Sequence, residues 1–401
     1  MTQSETNIPT YPVEVPHPRV EAPCAPQGWR IWLLRLAGWV GMPAVVLGAV
    51  WSVEHPTWEA GALAPTDLAH GSPQSPLSGA QLANTAQLPS LPTTLAQAGL
   101  YRADAWGQLQ EAAVFYVPQY PLWSDGADKK RWVVLPPHAS IDGSQPDRWE
   151  FPVGTRFFKE FSVAGKVETR MIEKRADGSY GYAAYVWDEA ETEAVLAAPA
   201  GEVVQGKRTY GEPYLVPAEA ECRACHEGRT ASPILGFGAL QLSTDRDPGA
   251  AHADAPPDEA VDLRDLIERE LLEGYPADSV APRIGAPNPT ARAAAGYLFG
   301  NCAHCHNAEG PLADIGLNFD QSVVDAQAYA RLRAAALAPT ELFQLPGETH
   351  ARRAIPGDAA RSAITLRMNS RSPITQMPPL GTSRVDTEGV RLISDWINSL
   401  Q

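Results

Sequence analysis

Two short segments of identical pattern constrain this chain more than any other feature of its sequence. In each, two cysteines are separated by two residues and followed at once by a histidine. Residues three apart lie on one face of a helical turn, so the two thiols stand side by side with the imidazole next to them. This pattern is typical of covalent haem attachment, in which both thiols add to the haem vinyl groups and the histidine binds iron. The segments are Cys222-Arg-Ala-Cys225-His226 and Cys302-Ala-His-Cys305-His306.

Two Cys-x-x-Cys pairs would also suit a zinc site or a redox dithiol. The pairs here lie much farther apart than the roughly 15–20 residues typical of Cys₄ zinc sites, and a histidine directly follows each pair. Both features favour two covalently attached haem c groups. The chain has five cysteines, so haem attachment leaves only Cys24 and no pair for a structural disulfide.

The second motif is followed by residues that suit complete iron coordination. Met377 lies in a loop stiffened by Pro378 and Pro379. A thioether held there suits a distal iron ligand opposite His306, and Met/His ligation favours electron transfer because no iron position stays open. Methionine is more often a core residue, but the adjacent prolines argue against a helix interior. We therefore predict Met377 as the distal ligand.

The distal ligand of the first haem is left open by the sequence. His252 is the one histidine between the motifs, and its Ala/Asp/Pro-rich surroundings are typical of a solvated loop. Without a sixth ligand, the first iron would be free to bind a small molecule. We expect His304, inside the second motif, to point outward. The other candidates, each of which needs a contact between distant segments, are Met171, Met368, His138 and His350.

Residues 31–53 form an apolar segment that predicts a transmembrane anchor. At 1.5 Å per residue it would extend about 35 Å, enough for a bilayer core of roughly 30 Å. Arg30 and Arg35 lie at its start, whereas Glu54 and Glu59 follow it. The positive-inside rule then places residues 1–30 in the cytoplasm and the rest on the periplasmic side of the inner membrane. The alternative is a cleaved signal and a soluble periplasmic protein.

The rest of the chain divides by composition and periodicity. Residues 54–98, rich in Ala, Pro and Ser, predict a flexible linker. A β-rich domain carrying the first motif is expected over 99–250, with strands near 132–135, 149–151, 156–161, 166–172 and 180–187. Residues 251–287 predict a connecting helical segment, and residues 288–401 predict helices that begin at Asn288-Pro289 and at Asp386.

The net charge of the chain restricts the molecules that it can bind. The formal net charge of −15 disfavours nucleic acid and suits a redox partner protein with a basic docking surface. The run Lys129-Lys130-Arg131 predicts a solvated strand edge. Seven aromatic residues suit a core more often than a ligand groove: Phe115, Tyr116, Tyr120, Trp123, Trp132, Trp149 and Trp187.

Over roughly residues 95–401 the chain resembles a family of proteobacterial di-haem c-type cytochromes. The resemblance implies a mainly-β domain that delivers the first haem motif and an all-α class I cytochrome c domain, residues 288–401, that carries the second haem. Met377 is the distal ligand by that similarity. The motifs that carry it are Pro121-Leu-Trp-Ser-Asp-Gly, Phe151-Pro-Val-Gly-Thr, Glu168-Thr-Arg, Tyr185-Val-Trp, Val216-Pro, Asn301-Cys-Ala-His-Cys-His, Met377-Pro-Pro-Leu-Gly and Trp396-Ile.

The expected fold is therefore multi-domain, with an N-terminal transmembrane helix, a mainly-β domain and an all-α cytochrome c domain. The expected function is electron transfer in the periplasm by two haems. A haem enzyme, such as a peroxidase-like protein or a small-molecule oxidoreductase, is the alternative, as is a redox or gas sensor. Both alternatives need a five-coordinate first haem.

Met377→Ala tests the predicted distal ligand. We expect the variant to lose the weak sulfur-to-iron absorption band of ferric Met/His haem, because no thioether would then reach the iron. The measurement is the visible spectrum of the oxidised protein, with Met42→Ala, a methionine outside the candidate ligands, as the control. An unchanged Met377→Ala spectrum would contradict the assignment.

Overall fold

The computed structural model describes residues 91–209, 212–228, 232–340, 343 and 352–401. These described residues all belong to one compact unit. The predicted cytoplasmic segment, the anchor at 31–53 and linker residues 54–90 lie outside the described residues. Within the described ranges, no helix is both long and apolar enough to cross a membrane.

A six-stranded antiparallel sheet, in the order β3-β4-β6-β7-β8-β9, forms the centre of the fold. Two antiparallel pairs, β1-β2 and β10-β11, and one parallel pair, β5-β12, accompany it. The strands are β1 (Tyr101–Arg102), β2 (Ala105–Leu109), β3 (Ala113–Phe115), β4 (Asp128–Val134), β5 (Ile141–Asp142), β6 (Arg156–Ser162), β7 (Lys166–Lys174), β8 (Tyr180–Trp187), β9 (Ala194–Leu196), β10 (Glu202–Thr209), β11 (Glu212–Val216) and β12 (Leu272–Glu273).

The sequence pattern predicted four strands of the main sheet, β4, β6, β7 and β8, close to where they lie. Their turns are also as expected: Gly165 and Gly178 adopt φ of 112° and 85°, which glycine tolerates and most residues do not. The predicted strand at 149–151 is wrong, because that stretch makes only the isolated bridge between Glu150 and Asp142.

Six α-helices form within the described residues. Asn288 caps α3 by accepting a hydrogen bond from the Ala291 N–H, and Asp386 caps α6 through Gly389, as their positions predicted. The predicted helical segment over 251–287 contains one helix, the short α2. The helices are α1 (Glu219–His226), α2 (Leu263–Glu268), α3 (Pro289–Asn301), α4 (Ala328–Leu337), α5 (Ala363–Met368) and α6 (Thr387–Ser399), and 3-10 turns cover Ala313–Ile315 and Ala359–Arg361.

The predicted fold class is wrong in its last part: residues 288–401 do not form a separate all-α cytochrome c domain. The core around α3 and α6 contains Tyr120, Leu240 and Ala251, which come from the segments around the sheet. Because these residues fill the core of the C-terminal helices, the helices and the β-rich region share one interior. The transmembrane part of that fold class falls on residues outside the described ranges.

Two glycines of α3 explain this shared interior. A Cβ atom at Gly296 would overlap the ring of Tyr120, and one at Gly300 would overlap the Tyr120 carbonyl oxygen. The segment around Tyr120 therefore lies directly on the helix backbone. The Tyr120 hydroxyl donates to Asp247 at 3.1 Å, which ties a third segment to this contact.

Gly300→Ala should destabilise the protein by about 1–2 kcal/mol. Overpacking against a backbone carbonyl costs about 1–3 kcal/mol, whereas alanine gains at most about 1 kcal/mol in helix propensity. Denaturant unfolding measures the difference. Gly285→Ala is the control, since a Cβ there would meet nothing within 4 Å. Equal stability of the two variants would contradict the close packing.

Candidate functional site

The first motif lies on α1, directly after the hairpin β10-β11. The Ala218 N–H donates to the Glu221 carboxylate at 2.9 Å, which satisfies an otherwise unpaired N–H at the helix start. Cys222 and Cys225 are both half-buried, and neither forms a disulfide. The ring of His226 lies against Tyr182 of β8, with centroids 5.8 Å apart. The helix thus presents its thiols and imidazole toward the main sheet.

The hydrogen bond of His226 determines which ring nitrogen is available to a ligand. Nδ1 lies 2.6 Å from the carbonyl oxygen of Pro233. Because a carbonyl only accepts, Nδ1 must carry the proton, and Nε2 then has a free lone pair. Burial lowers the pKa of His226 to about 4, so the ring is neutral at pH 7. A neutral imidazole oriented through its other nitrogen is a typical metal ligand.

The second motif follows α3 without a break. The N–H groups of Cys305 and His306 donate to the Cys302 carbonyl at 3.1 and 2.9 Å, which winds the motif into a tight turn. Burial raises the pKa of Cys302 to about 12 and lowers that of His306 to about 4. The Nδ1 atom of His306 is buried and has no hydrogen-bond partner among the described residues. Phe319 packs against the ring, with centroids 5.9 Å apart.

The two motifs meet. The side chains of Cys225 and Cys305 influence each other: Cys305, together with burial, raises the pKa of Cys225 to about 12, and Cys225 lowers the pKa of Cys305. Asn307 donates from Nδ2 to the Gly228 carbonyl at 3.0 Å, which joins the two chain segments directly after the motifs. A Cβ at Gly228 would overlap the His304 carbonyl. Glycine is therefore required for this close approach.

His304 does not point outward as expected. It is only 6% exposed, and its side chain acts to lower the pKa of Cys225 in the other motif. Its Nδ1 atom has no partner among the described residues. No local sequence pattern predicts the burial of His304, because the burial depends on contact between segments far apart in the chain.

A cavity of about 780 Å³ opens beside the first motif. Cys222, Cys225 and His226 line it, and His304 is the residue of the second motif that reaches it. Tyr116, Tyr120 and Trp149 are core residues, as the sequence predicted. Together with Trp123 they also line this cavity.

Charged residues of the main sheet also line the cavity. Arg131, Lys159 and Arg170 belong to the neighbouring strands β4, β6 and β7. The predicted solvated edge is therefore wrong for Arg131, which is 5% exposed on an interior strand, whereas Lys130 is exposed. Successive side chains of a strand point to opposite faces, so alternation along β4 could have predicted that Lys130 and Arg131 differ in exposure.

Met377 lies on the loop that follows α5. It is half-buried, and its N–H donates to the Arg367 carbonyl at 3.0 Å. The charge of Arg367 contributes to the lowered pKa of His306, so this loop is close to the second motif. Ligation by Met377 stays a prediction. The following residues, 378–383, line the cavity at the first motif.

The described candidates for a distal ligand at the first motif have different surroundings. Met171 packs with Phe158 in a hydrophobic core, and both residues also line the cavity. Met368 packs in the core around α3. His138 is exposed. His252 is not solvated as expected: its Nε2 contacts Asp386 at 2.8 Å. His350 lies outside the described residues.

Among the residues that the structure describes, no group of three or more His, Cys, Asp or Glu side chains is arranged to hold a metal ion. Comparison of the chain with protein-family models, curated proteins and solved structures finds no match in any of the three. The resemblance to di-haem cytochromes therefore rests on the sequence motifs and stays a prediction.

His252→Asn should lower the free energy of unfolding by about 1–3 kcal/mol, because it deprives the buried Asp386 of a partner. If the predicted haems are attached, the visible spectrum of the protein should not change. Denaturant unfolding and absorption spectra measure the two effects. His138→Asn is a matched control, since both histidines have φ near 60° and asparagine tolerates that region. Loss of low-spin character in His252→Asn would identify it as a ligand after all.

Proposed function

We propose that this chain is a di-haem c-type cytochrome that transfers electrons. The observation that carries the proposal is the contact between the two Cys-x-x-Cys-His motifs, through the Cys225 and Cys305 sulfurs and the Asn307–Gly228 hydrogen bond. Electron tunnelling weakens steeply with distance, so two redox centres held in contact suit a relay. Each haem, when bound, supplies one-electron chemistry between ferric and ferrous iron.

The residues present fit a haem at the first motif. Cys222 and Cys225 are free thiols three residues apart on one helix. His226 offers a neutral Nε2, because Nδ1 is held by Pro233. The adjacent cavity has apolar walls for a large planar ring and cations for its carboxylates. These properties suit a haem that is attached through both thiols and ligated by His226.

The second motif fits by its donor set. Cys302 and Cys305 are free thiols, and His306 is a buried, neutral imidazole. The Cys302 side chain packs against the core that includes Leu298 and Trp396. This side of the motif is therefore apolar, which suits the hydrophobic edge of a haem.

Haem content tests the proposal directly. Expressed with haem-attachment machinery, the protein should carry two covalent haems by intact mass. Cys222→Ser/Cys225→Ser and Cys302→Ser/Cys305→Ser should each retain one, because the thioethers of one motif are then absent. Cys24→Ser, outside both motifs, should retain two. A full-length protein without covalent haem would refute the proposal.

A haem enzyme or sensor is the second candidate. The observation that favours it is the cavity of about 780 Å³ beside His226, together with the engagement of Met368 in the core around α3 and of His252 with Asp386. The effect of carbon monoxide on the absorption spectrum distinguishes the two functions. A spectrum that does not respond to it favours the electron carrier, whereas binding at one haem favours the enzyme or sensor. Periplasmic location and a basic redox partner stay predictions.

A further inference from the structure

Three cations form a row across the main sheet. The strand register places Arg131 of β4 opposite Lys159 of β6, and Lys159 opposite Arg170 of β7. Residues in register on adjacent strands point to the same face of a sheet. Like charges placed directly opposite each other are destabilising. A negative charge close to such a row would reduce this repulsion and stabilise the fold.

The described residues compensate only one of the three. Arg170 forms an ion pair with Glu168, which also accepts a hydrogen bond from Tyr214 at 2.7 Å. Among the described residues, no hydrogen bond or ion pair engages the side chain of Arg131 or Lys159. Burial lowers the pKa of both groups, with that of Lys159 well below its usual range. Arg131 is buried and Lys159 is half-buried, with its ammonium 4.7 Å from the centroid of the Phe161 ring. Neither cation pairs with a carboxylate of the described residues, and a desolvated cation without an anion is costly.

The carboxylates that line the same cavity are engaged elsewhere. Asp125 accepts hydrogen bonds from Ser383 and Arg384 backbone groups. Asp147 accepts from the Val323 N–H at 2.7 Å, and Glu221 caps α1. No carboxylate that lines the cavity is therefore paired with Arg131 or Lys159, and these two side chains suit an anion that enters the cavity.

The row begins beside the first motif. The charge of Arg170 acts on both Cys222 and His226, and that of Lys159 acts on His226. Adjacent strands are about 4.8 Å apart, so Arg131 lies roughly 10 Å beyond Arg170 along the row. An anion bound at the far end would belong to a molecule that extends from the motif across the cavity.

We propose that Arg131 and Lys159 bind the two carboxylates of the haem carried by Cys222 and Cys225. The inference rests on the proposed function and deepens it. Two unpaired positive charges match the two propionate groups, and a guanidinium binds a carboxylate through two parallel hydrogen bonds. These cations favour the ferrous form, which carries one positive charge fewer than the ferric form, and so raise the reduction potential.

Potentiometric titration of the full chain with both haems tests this assignment. Lys159→Met and Arg131→Met should each lower the potential of one haem and leave the other unchanged, because each removes a positive charge near one iron. Lys159→Arg keeps the charge and should retain the wild-type potential. Lys130→Met is the matched control: it removes an exposed lysine of the same strand whose side chain points to the other face.

The outcomes separate this inference from the proposed function. If the wild-type protein carries no covalent haem, the proposed function fails. If it carries two haems but neither variant shifts a potential, or Lys130→Met shifts it equally, only the carboxylate assignment is wrong. A wild-type potential that depends on added succinate would instead assign the row to a free anion. Should Lys159→Met fail to fold, Lys159→Gln and Arg131→Met supply the same comparison.

Discussion

The contact between the two chain segments that follow the cysteine motifs organises the whole site. Asn307 donates to the Gly228 carbonyl and to the Ala303 carbonyl, and its own Oδ1 accepts from the Gly310 N–H. A side chain at Gly228 or Gly310 would overlap backbone atoms of the other segment. The helix α1 therefore cannot move away from the second motif without losing these bonds, and both motifs stay side by side.

The two faces of the main sheet have different roles in this arrangement. One face carries Phe158, Met171 and Tyr185, which pack in a hydrophobic core. The other face carries the row of cations and the wall of the cavity beside α1. Because side chains alternate along each strand, one short sequence such as Phe158-Lys159 contributes to both. Stability and binding thus depend on adjacent residues of the same strands.

Shared packing also explains why the C-terminal helices are not an independent domain. Their core is completed by Tyr120, Leu240 and Ala251, and Gly300 allows the Tyr120 backbone to lie directly against α3. The helical periodicity of residues 288–401 predicted α3 and α6 correctly, since capping and periodicity are local properties. The periodicity did not predict which residues pack against α3 and α6, because burial by a distant segment leaves no local pattern.

The sequence by itself determined the two Cys-x-x-Cys-His motifs through their spacing. It also determined the strands β4, β6, β7 and β8 through alternation, and the starts of α3 and α6 through capping residues. All of these are properties of a few neighbouring residues. Only the tertiary structure decided that Cys225 meets Cys305, that His304 is buried at the other motif, and that Arg131 and Lys159 share a cavity with His226. Each of these contacts joins residues that are distant in the chain. Their position depends on how strands pair and how closely glycines let segments approach, so it is a property of the folded chain as a whole.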